Sequence, residues 1–152
     1  MTTGLSQSDR KHLMLAYELA ARSFAEGGLP IGSVLARGDT ILGQGHNQRI
    51  QKGDPIAHGE MDCIRNAGRQ TSYAGTTLYT TLSPCMMCAG TIVQFRIPRV
   101  VIGENRNFGG NEDFLRQHKV EIIVADDGRC TELMGRFIRE RPGIWNEDIG
   151  TS

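Results

Sequence analysis

Apolar residues recur at three- and four-residue steps near the start of the chain, where Leu13, Tyr17, Ala20 and Phe24 fall on one stripe. A stripe of that period predicts an amphipathic helix. Ser6 and Asp9 have capping-box spacing at its start, and Gly27-Gly28 with Pro30 close it. The period then changes. Residues 31–37 read as a strand, Gly38-Asp39 as a two-residue hairpin turn, and 40–45 as the returning strand. After a polar loop ending near Pro55, a helix is predicted from about His58 until Gly68 stops it, with Met61 and Ile64 on its core side. Residues 76–82 form a threonine-rich strand. A further helix is predicted to start at Ser83-Pro84, since proline suits a first-turn position whose N–H would be unpaired. Residues 99–103 and 120–124 are short apolar runs of the kind buried parallel strands show. Between them lie a glycine-rich loop, 107–111, and a short helical piece around Phe114. A last helix, about 129–140, ends before Pro142, and residues 143–152 show neither helical nor strand period.

An antiparallel hairpin followed by strand–helix–strand–helix–strand–helix implies an α/β fold with one mixed, roughly five-stranded sheet covered on both faces. The 152 residues suit a single domain, 1–152. In such a fold the helix starts at His58 and Pro84 meet at one end of the sheet.

Charge narrows the partners. Seventeen Lys and Arg balance seventeen Asp and Glu, so no basic field gathers phosphates. That argues against nucleic acid and for a small, uncharged substrate. No charged-then-apolar leader is visible, and no apolar run approaches the ~20 residues that span a bilayer. A cytoplasmic protein with no membrane partner is the expectation. In that compartment thiols stay reduced, so the C-x-x-C of Cys85 and Cys88 points to metal rather than to a disulfide. Cys63 and Cys130 lie outside the motif and read as buried small hydrophobes.

The chemistry concentrates in His58-Gly59-Glu60 and Pro84-Cys85-Met86-Met87-Cys88. One histidine and two cysteines supply three ligands suited to zinc and leave a fourth position for water, the mark of a catalytic site. Cys85 and Cys88 are three apart and share a face in a first helical turn, where the dipole favours thiolates. His58 and Glu60 are two apart and point nearly opposite ways from a regular helix, so the ion must lie off the helix end. Zinc lowers the pKa of its bound water to about 7, and a carboxylate beside it shuttles the protons. Glu60 is the one acidic residue so placed. A thioredoxin-type redox pair has no use for the matched His-x-Glu, and a structural zinc would need a fourth ligand such as Cys63 or Cys130. The order H-x-E…P-C-x-x-C is similar to the signature of zinc-dependent base deaminases.

Beyond the motif, the segments 26–32, Gly45-His46-Asn47, 76–88, Gly103-Glu104-Asn105 with Asn107-Phe108, and Trp145 through Gly150 resemble fungal-type cytosine deaminase, of the cytidine/deoxycytidylate deaminase superfamily. The likeness covers almost the whole chain. It implies a three-layer α/β/α sandwich, a homodimer, one zinc per subunit, and hydrolysis of free cytosine to uracil and ammonia. It further implies that Asn47 and the Gly59 backbone hold the pyrimidine's oxygen and ring-nitrogen edge, and that Asp148 accepts from the departing amino group. Phe108, Trp145 and Ile31 would wall the ring, and Ser83 would orient the site near the zinc water. Met86 and Met61-Asp62-Cys63 depart from the family's pattern, and Gly109-Gly110 loosens the loop after Phe108. Deamination of another small base or nucleoside, such as guanine or cytidine, and a non-catalytic zinc-binding domain are the alternatives. Residues 143–152, with a tryptophan that a solvated tail rarely carries, are expected to close over the site.

Overall fold

The computed structural model describes residues 4–151; residues 1–3 and 152 of the expected domain lie outside it. Helix α1 (Gln7–Ala25) begins with the capping box read from the sequence. The Ser6 hydroxyl accepts from the Asp9 N–H at 3.0 Å, and the Asp9 carboxylate accepts from the Ser6 N–H at 2.9 Å. Strands β1 (Gly32–Arg37) and β2 (Thr40–His46) form the hairpin, with a bulge between Leu35 and Ala36. Strand β3 (Thr76–Leu82) pairs antiparallel with β1, while β4 (Arg99–Glu104) and β5 (Glu121–Val124) continue parallel to it. The order is β2-β1-β3-β4-β5, the mixed five-stranded sheet that was expected.

Alternation along the strands sorts the core into two faces. Leu35, Leu78, Val100 and Ile102 face one way. They meet Cys63 of α3 (Gly59–Ala67), Ala89 and Ile92 of α4 (Met86–Phe95) and Leu115 of α5 (Glu112–Gln117). Val34, Ala36, Tyr79 and Val101 face the other way, against Leu13, Ala16 and Leu19 of α1. Helix α6 (Gly128–Glu140) packs beside α1, where Phe137 meets Phe24 edge to face at 6.1 Å. Each large apolar side chain so buried contributes ~1.5–3 kcal/mol. Strand β3, buried at all seven positions, is the centre of this three-layer arrangement.

Four local expectations change. Helix α4 starts at Met86 rather than at Ser83-Pro84, and Cys85 is its N-cap with an extended backbone, φ −71° and ψ 174°. The cause is tertiary: the Ser83 N–H donates to the Glu104 carbonyl at 3.1 Å, prolonging strand pairing past Leu82. The polar loop after β2 contains one helical turn, α2 (Arg49–Lys52). On α3 the buried positions are Gly59, Glu60, Asp62 and Cys63. Ile64 is half-buried at the core's edge, and Met61 turns instead to the Thr91 hydroxyl of α4.

The tail is not irregular: α7 (Pro142–Ile149) is a helix with proline in its first turn and Gly150 closing it at φ 77°. A helix this short is marginal by itself. It persists because Trp145, Ile144 and Ile149 pack on Leu29, Leu82 and Met134, in a third apolar cluster beyond the end of β3.

Candidate active site

The starts of α3 and α4 converge beyond the sheet. His58 is the N-cap of α3, with an extended backbone that frees its ring from the helix flank, and Cys85 holds the same place on α4. His58 Nδ1 lies 3.5 Å from Cys85 Sγ and 3.9 Å from Cys88 Sγ. The three ligand atoms all fall within 4.8 Å of one another, off the helix end as the spacing demanded. One imidazole nitrogen and two sulfurs, crowded so closely, are a donor set that fits zinc.

Electrostatics favour a cation here. A hydrogen bond from Cys88, helped by His58, outweighs burial and pushes the Cys85 thiol down to about 4. Cys88, as the proton-holding partner of that pair and a buried group, is pushed up. Burial works to lower His58, but its hydrogen bond with Cys85 and the charges of Asp148 and Glu60 raise it to about 9. The site thus supports an imidazolium–thiolate pair whose protons a metal ion would displace.

Glu60 is buried in the first turn of α3, and burial followed by the Cys85 charge pushes it up to about 7, against the opposing His58 charge. A carboxyl titrating there can take and return a proton near neutrality. Gly59 has to be glycine. A Cβ at that position would stand 2.9 Å from the Ile31 carbonyl oxygen. As the first residue of α3, its N–H has no acceptor within the helix.

A small pocket opens at the cluster. Ile31, Leu82, Phe108, Trp145 and Ile149 form its apolar wall, and His58, Glu60, Ser83, Cys85 and Asp148 its polar side. Phe108 and Trp145 meet edge to face, centroids 6.2 Å apart at 86°. The Asp148 side chain is 4% exposed and 3.3 Å from His58 Nε2. Burial raises its pKa, against the charges of His58 and Arg49. Its Oδ1 is ion-paired, 3.3 Å from His58 Nε2 and 3.7 Å from Arg49 Nε, and the Asn47 amide beside it also works to lower the pKa, but neither Oδ1 nor Asn47 Nδ2 has a well-aligned hydrogen bond. Buried polar atoms without a well-aligned hydrogen bond cost ~1–3 kcal/mol each, and Asn47 Nδ2 and Asp148 Oδ1 are a donor and an acceptor of that kind beside the pocket. Asn47 and Gly59 stand behind the lining rather than in it. Asn47 is also a turn residue, its Oδ1 accepting from the Arg49 N–H at 3.0 Å.

Three residues that no spacing rule singled out support this pocket. The Ser83 hydroxyl donates to Glu112 at the start of α5. Arg49 reaches α7, with Nη1 2.5 Å from Glu147 and Nε 3.7 Å from Asp148. Glu104, fully buried, accepts from the N–H groups of Arg106 and Asn107 and from Asn107 Nδ2 at 2.8–2.9 Å, which shapes the loop carrying Phe108. Their partners lie in loops or distant elements, so only the tertiary structure reveals them. Cys63 and Cys130 are buried and outside the ligand cluster, as expected. Among the described residues no helix is long and apolar enough to cross a membrane.

The family described as the cytidine and deoxycytidylate deaminase zinc-binding region matches residues 6–104. Cytosine deaminase of Candida albicans is 52% identical over 145 residues, 93% of this chain and 97% of that protein. A tRNA-specific adenosine deaminase of Haemophilus influenzae is 33% identical, over 90% of this chain and 86% of its own. Among solved structures, one from work on A-to-I editing by tRNA:A34 deaminases superposes with a TM-score of 0.73 at 27% identity, covering 82% of this chain and 99% of that one. Guanine deaminase from Nitrosomonas europaea shares the fold at a TM-score of 0.70 and 16% identity, covering 87% and 84%.

Proposed function

The chain belongs to the cytidine and deoxycytidylate deaminase family, and from that premise we propose that it is a zinc-dependent enzyme hydrolysing free cytosine to uracil and ammonia. The observation that carries this reading is the pairing of Glu60 and the His58–Cys85–Cys88 cluster with Asp148, Trp145 and Phe108 around one pocket, with Asn47 behind it. The 52% identity to a cytosine deaminase supports the choice of base.

Zinc, held by His58, Cys85 and Cys88, supplies the Lewis acidity that makes water a nucleophile at neutral pH. The protein's own groups do the rest. Glu60 takes a proton from the attacking water and delivers it to the ring nitrogen. It then carries a second proton to the amine, which leaves as ammonia while the water oxygen stays on the ring. Asp148 accepts a hydrogen bond from the departing amino group. The Asn47 amide and the Gly59 N–H hold the ring's oxygen and nitrogen edge, and Ser83 steadies the region of the water. Ile31, Phe108 and Trp145 sandwich the ring. Because each polar group of the site needs its partner, a base lacking one of them is rejected. Closure by α7 over the pocket would exclude the ribose of a nucleoside.

A homodimer belongs to the same reading. Helix α4 exposes Met86 at 56% at its start and Phe95 at 42% at its end, and a helix apolar all round is normally buried on both sides. Zero net charge argues against a nucleic-acid partner, and reduced thiols for the ligands suit the cytoplasm. The test is ammonia release from cytosine, cytidine, guanine and adenine, with zinc content measured on the same preparation. Cytosine should be the fastest; faster release from another of the four would overturn the choice of base. Light scattering that gives the mass of one chain at micromolar concentration would remove the dimer.

A further inference from the structure

Two segments of the site come from different parts of the fold, and one buried side chain joins them. We infer that Asp62 is a positioning residue that sets the Asn47 amide relative to the zinc-side helix α3; this rests on the role proposed for Asn47. Asp62 is 2% exposed, and its Oδ2 accepts two hydrogen bonds at 3.1 Å, one from the His46 N–H and one from Gln48 Nε2. These residues flank Asn47 on both sides. On its own helix, the Asp62 N–H donates to the His58 carbonyl at 2.9 Å, closing the first turn that carries the metal ligand and Glu60. The route from ligand to substrate amide is therefore short: His58, Asp62, then the two neighbours of Asn47.

The backbones are built for this contact. A Cβ on Gly45 would lie 2.5 Å from the Cys63 nitrogen and 2.6 Å from Asp62 Oδ2, so only glycine lets β2 approach α3 so closely. Other bonds hold Asn47 from elsewhere. Its N–H donates to the Ile31 carbonyl at 2.9 Å, and its carbonyl accepts from the Ser23 hydroxyl at 2.8 Å and from Gln51 Nε2 at 3.0 Å. Those bonds tie Asn47 to the residue before β1, to α1 and to α2. Asp62 supplies the tie to α3. Among the described residues no Lys, Arg or His forms an ion pair with it; the partners of its Oδ2 are a backbone N–H and a side-chain amide. A buried carboxylate whose bonds go to the two neighbours of Asn47 fits a role in alignment.

The experiment is a double-mutant cycle on kcat/KM with zinc content as the second readout, run on whichever base the wild type hydrolyses fastest. A wild type that prefers a base other than cytosine then defeats the functional reading without touching the cycle. Asp62→Ala should lower kcat/KM by about 10–100-fold, the scale of a misplacement near 1 Å, with zinc still one per chain. Asp62→Asn can present its amide oxygen where Oδ2 now sits, and should restore kcat/KM to within about threefold of wild type. In an Asn47→Ala background, Asp62→Ala should cost less than about twofold more, because coupled residues are not additive. Equal losses with and without Asn47, no rescue by Asp62→Asn, or loss of zinc would each overturn the inference. Should Asp62→Ala fail to fold, Gln48→Met removes one of the two bonds from the other side, and additivity of that variant with Asn47→Ala overturns it equally.

Discussion

Asp9 and Asp148 are both buried aspartates, at opposite ends of the chain, and the contrast between them separates what holds this domain together from what gives it chemistry. Both Nη atoms of Arg99 grip Asp9 at 2.8 Å, Tyr79 donates its hydroxyl at 2.6 Å, and the Ser6 N–H adds a fourth bond at 2.9 Å. The Arg99 hydrogen bonds, against the pull of burial, hold the Asp9 carboxyl well below the usual carboxylate range. Asp148 Oδ1 has only looser ion pairs, 3.3 Å to His58 and 3.7 Å to Arg49, with no well-aligned hydrogen bond, and burial moves its pKa the other way. A carboxylate with every lone pair engaged is a fastener. One desolvated at a pocket and only loosely paired keeps lone-pair capacity for a ligand.

The largest effect should come from removing the metal side of the contrast. Cys85→Ala is expected to lose zinc, cytosine turnover and thermal stability together, since ligand binding energy is partly folding energy. Stoichiometric zinc by elemental analysis in that variant would point to a different ligand set. Glu60→Gln should keep zinc and lose roughly 10²–10⁴-fold in kcat. Near-normal turnover there would remove the proton shuttle.

The next pair tests the contrast itself. Asp148→Asn should lower kcat/KM by about 10–100-fold, the worth of a hydrogen bond to a charged group, while leaving the melting temperature unchanged or higher. Asp9→Ala should do the opposite, costing ~3–5 kcal/mol in denaturant melts because Arg99 is left without its partner, with kcat/KM at 25 °C within about twofold of wild type. If both variants lose stability and activity in parallel, the division between the two ends is wrong.

The smallest effect is one of pH. Because the folded pKa of Asp9 lies below its unfolded value of about 3.9, its stabilisation is fully present above that value and disappears as pH falls towards the folded one. Wild-type stability should therefore decline below about pH 4, and Asp9→Ala should flatten part of that decline. An unchanged acid slope in the variant would assign the decline to other carboxylates.

The same contrast explains what the sequence made legible. The Ser6–Asp9 box is local, three residues apart, and needs no fold to be seen. Arg99, which decides the character of Asp9, is ninety positions away. The hairpin, the mixed sheet and the convergence of His58 with Cys85 and Cys88 follow from short-range pattern and right-handed connection. The start of α4 was misplaced because strand pairing through Ser83 overrides the preference of Pro84 for a first turn. Helix α7 escaped notice because eight residues carry almost no period, although Pro142 at its start and Gly150 at its end were the signals that could have found it. Asp62 and Glu112 act through partners that only the folded chain brings near.

Trp145, described above as part of a wall, is also the only indole in the chain. It is 7% exposed and set edge-on to Phe108 at the pocket. Excited selectively, the protein therefore carries a single native fluorophore, and it stands where a bound base would stack. Quenching or a spectral shift on adding cytosine would report occupancy without a label. In the Glu60→Gln protein, which binds without turning over, the titration would yield a dissociation constant directly.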